Sequence, residues 1–160
     1  ANQKLFLWFE NDLFCQVNYW FVLHWLMESG SDVALYRVYP RGSDPWRTYA
    51  RHQLADLEAA LARAVKVERR DQELASQLWV AYCQENSTRM CELAVATPAL
   101  EAIDQLATRW NDVGGRRGVA NAARGMIATE SSMSAAWLSF QKQFGFLGYG
   151  DLQFMRAAQG

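Results

Sequence analysis

The chain has 160 residues, carries 17 acidic and 16 basic side chains for a formal charge of −1, and is 51% hydrophobic and 21% charged. These proportions belong to one soluble globular domain, long enough to bury a core without disulfides or metal, and they exclude a disordered chain and a small cysteine-stapled scaffold. A near-neutral chain also lacks the positive field that supplies non-specific nucleic-acid binding, so nucleic acid is not the expected partner.

Leu5–Phe9 (LFLWF) is a continuous apolar run, the pattern of a strand covered on both faces in a parallel sheet. Glu10, Asn11 and Asp12 break it. An almost uniformly apolar segment follows from Leu13 to Met27, with Asn11 or Asp12 placed to cap a helix and Gly30 to end it. Asp32–Tyr39 (DVALYRVY) reads as a second strand closed by Pro40. Strand, helix and strand form a βαβ unit, whose strands are parallel. Two such strands cannot shield each other, and the chain holds seven Trp, six Tyr and eight Phe. An upstream segment or a second subunit is therefore expected to cover Leu5–Phe9, and a homo-oligomer is predicted. The start at Ala1 without an initiator Met reads as a fragment.

Residues 41–49 (RGSDPWRTY) form a turn-rich loop with Gly and Pro as punctuation. A mostly helical half follows. Leu54, Leu57, Leu61 and Val65 recur at helical spacing, as do Leu74, Leu78 and Tyr82, and then Leu100, Ile103, Leu106 and Trp110 behind a Thr97-Pro98 start. Gly114-Gly115 breaks the pattern, residues 116–128 are weakly patterned, and Met133, Trp137, Phe140 and Phe144 resume it. The tail FGFLGYGDLQFM carries Gly145, Gly148 and Gly150, which implies positive φ angles or a close backbone approach. The expected fold is α/β: residues 1–40 make a Rossmann-like βαβ start with a small parallel sheet, and 41–160 a mostly helical part packed on it in a single compact unit.

Cys15, Cys83 and Cys91 are odd in number and show neither CxxC nor zinc spacing, which points to reduced thiols, a cytoplasmic protein and no metal site. Glu10, Asn11, Asp12, Gln16 and Asn18 interrupt the apolar stretch from Leu5 to Met27, so no membrane span or signal segment is expected.

Chemistry concentrates after the first strand, because open α/β sheets bind ligands outside the carboxyl ends of their strands. Glu10, Asp12 and Gln16 stand there, and a helix starting near Asp12 brings Gln16 to the same side one turn on. Helix capping accounts equally for Asp12. Gln16 among apolar neighbours needs a polar partner, for which Asp151 or Gln153 of the GYGDLQ turn is the candidate. That turn is neither a P-loop nor a dinucleotide fingerprint, and Asp151 also suits the cap of a final helix from Leu152 to Ala158. His24 reads as a core residue, His52 as exposed, and Cys15 as small apolar filler rather than a nucleophile.

Residues 5–26 (LFLWFENDLFCQVNYWFVLHWL) and 144–155 (FGFLGYGDLQFM) together resemble the bacterial domain-of-unknown-function 1835 family. In that family a strand ending in an acidic W-F motif runs into a Q-x-N helix, and the chain tends to finish on G-x-G-D-x-Q. The middle of the chain shares only an LAxxxW helix, here Leu74 to Trp79. The resemblance implies a bacterial protein, a site at the end of the first strand, and a glycine-containing strand and loop upstream of it.

The expected function is that of a small-ligand-binding or regulatory domain, with Glu10, Asp12 and Gln16 lining a polar site and Asp151 and Gln153 closing it over a small polar or phosphorylated molecule. No cofactor or catalytic residue is assigned. One alternative is a Mg²⁺-dependent phosphoester-processing enzyme using Glu10 and Asp12. Another is a DNA-associated helical module using Arg116, Arg117, Arg124, Lys142 and Arg156, although a solvated helix face explains those residues as well.

Overall fold

Strand, helix and strand open the chain as the apolar pattern implies. A computed structural model describes residues 3–42, 44 and 46–159; Ala1, Asn2, Ser43, Pro45 and Gly160, and with them part of the loop expected over 41–49, lie outside the described residues. β1 (Lys4–Trp8) and β2 (Ala34–Val38) pair in parallel from Lys4↔Ala34 to Trp8↔Val38, joined by α1 (Leu13–Glu28). Asp12 caps α1, its Oδ1 accepting from Cys15 N at 2.9 Å, and Gly30 turns the chain away at φ +68°.

The small sheet with its parallel pair is the one expected, and a short antiparallel strand adds to it. After α2 (Leu54–Leu61) comes β3 (Val65–Lys66), antiparallel to β2, in the order β1-β2-β3. Val65 had the spacing of a further helical turn, yet it sits in this strand. β2 presents backbone groups on its second edge that need partners, and β-branched Val65 and Val67 supply them, with Val67 N donating to Leu35 O at 2.9 Å.

β1 is an edge strand, and it is not covered on both faces. Pairing puts Leu5, Leu7, Leu35 and Arg37 on the face that meets α1, and Phe6, Trp8, Tyr36 and Val38 on the other. Leu7 is buried, whereas Leu5, Phe6 and Trp8 are 37%, 38% and 38% exposed. The outer face is screened only in part by the loop before α2, through Tyr49 against Trp8 at 5.5 Å and the Tyr49 hydroxyl donating to Val38 O at 2.7 Å.

α3 (Arg69–Cys83) lies along α1, and Tyr19, Trp20 and Leu23 bury against Ala75 and Leu78. His24 Nδ1 meets Ser76 Oγ at 2.8 Å, so the side chain is hydrogen-bonded as expected, although it is half-buried at the α1–α3 seam rather than in the core. α4 (Ser87–Leu93) and α5 (Ile103–Asp112) continue the layer. α5 starts at Ile103 rather than behind Pro98, because Thr97 and Leu100 close a tight turn by mutual backbone bonds of 3.3 and 3.0 Å. α6 (Gly115–Thr129) is a full helix despite its weak pattern; its buried stripe is small, Val119 and Ala123. A Cβ on Gly118 would come within 1.5 Å of Val113 O, so only glycine allows this tight α5–α6 junction.

α7 (Met133–Phe144) is capped by Ser132, and α8 (Asp151–Gln159) packs back on α6. Phe140 joins them, with ring centroids 4.9 Å from Phe154 and 5.0 Å from Phe144. No helix among the described residues is long and apolar enough to cross a membrane.

Candidate functional site

The polar residues after β1 fold onto one another. Glu10 Oε1 accepts from Thr48 Oγ1 at 2.6 Å and from Tyr49 N at 2.7 Å, which pins the loop between β2 and α2 against the carboxyl end of β1. Asp12, 8% exposed, is occupied as the α1 cap. Burial raises its pKa and Glu10 adds to the rise, while the Cys15 N–H opposes it.

Gln16, 2% exposed, reaches back over the helix start, its Nε2 donating to Glu10 O at 2.7 Å and more weakly to Asn11 Oδ1 at 3.4 Å. The expectation of an Asp151 or Gln153 partner is corrected: a backbone carbonyl one turn away already satisfies the amide. Asp151 is exposed, and its Oδ1 accepts from Leu152 N at 2.8 Å, while Gln153 Oε1 accepts from Gly150 N at 3.2 Å. The C-terminal turn nevertheless meets the α1 start through its backbone. Gly148 has φ +66°, and a Cβ there would fall 1.9 Å from Asp12 Oδ1, so glycine is what allows this contact.

Arg37 is the residue sequence reasoning missed. It is fully buried, and no carboxylate forms an ion pair with it among the described residues. Its guanidinium lies 4.2 Å from the Tyr19 ring centroid, 4.7 Å from Tyr39 and 5.7 Å from Phe9. Nη2 donates to Glu10 O at 3.2 Å and reaches Asn11 Oδ1 at 3.4 Å, whereas Nε, Nη1 and the neighbouring Asn11 Nδ2 find no acceptor. Aromatic faces return part of the desolvation cost, about 2 kcal/mol for a well-desolvated contact, but each unmatched buried donor still costs about 1–3 kcal/mol. The signal was present: a lone arginine in the apolar strand DVALYRVY, two positions from Leu35 and so on its face.

The Tyr39 ring joins Arg37 to a cavity at the carboxyl end of β2, since Arg47 lies 5.9 Å from the same ring. This cavity, about 220 Å³, is lined by Tyr39, Pro40, Gly42 and Ala60 together with Arg41, Arg47 and Arg63. Arg41 pairs with Asp56 and Arg47 with Glu101, each at 2.8 Å, and Arg63 has no ion pair among the described residues. Burial raises the Tyr39 pKa against the pull of Arg37, so the phenol stays a neutral wall. His52 is half-buried rather than exposed, because its Nε2 accepts from Arg41 N at 2.7 Å and holds this loop.

Glu10, Asp12 and Cys15 also converge, with one ligand-type atom of each within 4.8 Å of the others. The sequence suggested the Glu10 and Asp12 pair, whereas Cys15 read as apolar filler and its approach to them was not foreseen. Burial, and then the charge of Asp12, pushes the Cys15 thiol up to about 12, so it is neutral and a poor nucleophile at physiological pH.

Compared with known protein families, curated proteins and solved structures, the chain matches none. Its functional reading rests on the chemistry of the site.

Proposed function

We propose that this chain is a small-ligand-binding α/β domain that holds a phosphorylated small molecule at the carboxyl ends of its parallel strands. The observation that carries the reading is the buried, unpaired Arg37 behind a cavity walled by Arg41, Arg47 and Arg63. Arg63, with no carboxylate partner among the described residues, offers the forked donors that match phosphate oxygens, while Arg41 and Arg47 stand beside it paired to Asp56 and Glu101, and the fixed charge of Arg37 behind Tyr39 raises the local potential without competing for the ligand. Glu10 serves by pinning the loop that carries Arg47, Gln16 by ordering the Glu10 carbonyl, and Asp12 by starting α1. Asp151 and Gln153 hold the C-terminal turn that packs on Asp12. Free thiols at Cys15, Cys83 and Cys91 fit a reducing, cytoplasmic setting.

A thermal-shift scan of the whole chain against inorganic phosphate, sugar phosphates and nucleotides tests this, because a ligand of the native state raises stability by mass action. A phosphorylated compound should raise Tm, and Arg63→Gln should weaken its binding about tenfold. No shift with any of these anions overturns the reading.

The convergence of Glu10, Asp12 and Cys15 favours a second reading, Mg²⁺-assisted phosphoester chemistry, since paired carboxylates are hard oxygen ligands. Cleavage of a phosphoester in Mg²⁺ or Mn²⁺, lost in Asp12→Asn, carries that reading. Absence of turnover with either metal removes it.

A further inference from the structure

A second cavity, about 480 Å³, lies between α1, α6 and α8. It brings together the two segments that the sequence singles out at opposite ends of the chain: Leu13, Phe14 and Val17 from the first turns of α1 on one side, Tyr149 and Gln153 from the GYGDLQ segment on the other. Val119 and Ala120 of α6 and Ala157 of α8 complete an apolar wall.

The polar groups of this cavity are unbalanced in sign. Arg116 and Arg156 line it, and no carboxylate does among the described residues. Arg116 lies 4.9 Å from the Tyr82 ring centroid and makes an exposed 3.3 Å pair with Glu85, a contact worth little in water. Arg156 is exposed and has no ion pair among the described residues. Gln153 uses Oε1 on Gly150 N, which leaves its Nε2 donor free for the cavity. Burial raises the Tyr149 pKa, with Arg116 opposing, so the phenol remains a hydrogen-bond donor.

An apolar lining that also carries cationic and neutral donors but no carboxylate among the described residues is complementary to one class of small molecule. We infer that this cavity binds an amphiphilic anion, whose acyl or aryl body lies against Leu13, Val17 and Val119 and whose single carboxylate, sulfonate or phosphate meets Arg116 and Arg156. The site is separate from the arginine cavity at the strand ends and does not depend on it. Arg116 and Arg156, two of the basic residues considered above for nucleic acid, thereby gain a small-molecule role.

Titration calorimetry of the whole chain with octanoate, 1-octanol and octylamine tests the inference. Octanoate should bind at least about tenfold more tightly than 1-octanol, the margin of one charge-assisted contact, and octylamine more weakly than either. Arg156→Gln, an exposed change that leaves the core intact, should remove about tenfold of octanoate affinity and leave 1-octanol unchanged. Ala120→Trp should fill the cavity and abolish both, while a cooperative thermal unfolding transition and an unchanged far-UV circular dichroism spectrum serve as controls for folding. Equal binding of octanoate and octylamine, octanoate binding indifferent to both substitutions, or no octanoate binding at millimolar concentration overturns it. Co-sedimentation with phosphatidylglycerol vesicles in place of octanoate binding would assign the surface to a membrane and equally overturn the cavity.

Discussion

Arg37 concentrates the tension between stability and function in this protein. A buried cation with two unmatched donor nitrogens is a poor device for holding a fold together, and replacing such a group by an apolar one of similar size is commonly neutral or stabilising. Arg37→Met should therefore leave the unfolding free energy unchanged or raise it by about 1–3 kcal/mol in urea titration, while weakening binding of phosphorylated ligands. A loss of more than about 2 kcal/mol would mark Arg37 as structural instead. Asp12 shows the same tension through its titration. Its folded pKa is raised, chiefly by burial, so the folded state binds the proton more tightly than the unfolded one. Stability is then lost as pH rises from the ordinary carboxylate value through the raised one. Asp12→Asn keeps a competent cap, so the variant should exceed wild type in Tm at neutral pH, with the difference vanishing below the carboxylate range. Equal differences at pH 3 and pH 7 would refute that account.

At the scale of elements, β1 stands out, because no strand among the described residues pairs its outer backbone edge and Phe6 and Trp8 are partly exposed on the face away from α1. Open edges with apolar side chains template pairing with another chain, and a lysine on such an edge blocks it. Sedimentation should show concentration-dependent association of the wild-type chain, and Phe6→Lys should shift it to monomer. A wild type that stays monomeric at every concentration rejects the homo-oligomer. The helices behave differently. α6 buries fully only Val119 and Ala123, with Met126 and Ile127 half-buried near its end, and Gly118 against Val113 O is the closest backbone approach along it. Periodicity of large side chains is blind to such a helix, since its buried stripe is made of small ones.

For the molecule as a whole, the βαβ start, the cap at Asp12 and the helical C-terminal half were legible in the sequence, because each depends on local pattern or cap chemistry. The meeting of the two end motifs was legible only as an expectation, and the structure realises it by a different route from the Gln16 bond foreseen. Gly148 backbone rests on Asp12 while Gln16 turns to Glu10 O, a choice made by which acceptor the folded chain holds nearest. The antiparallel β3, the exposed outer face of β1, the isolation of Arg37 among Tyr19, Tyr39 and Phe9, and the gathering of Arg41, Arg47 and Arg63 around one cavity were decided by tertiary structure. Local sequence determines which segments coil, extend or stop, because those preferences act within a few bonds. Whether a charge is buried without a partner, or arginines far apart in the chain share a cavity, depends on contacts across long loops, which only the assembled fold specifies.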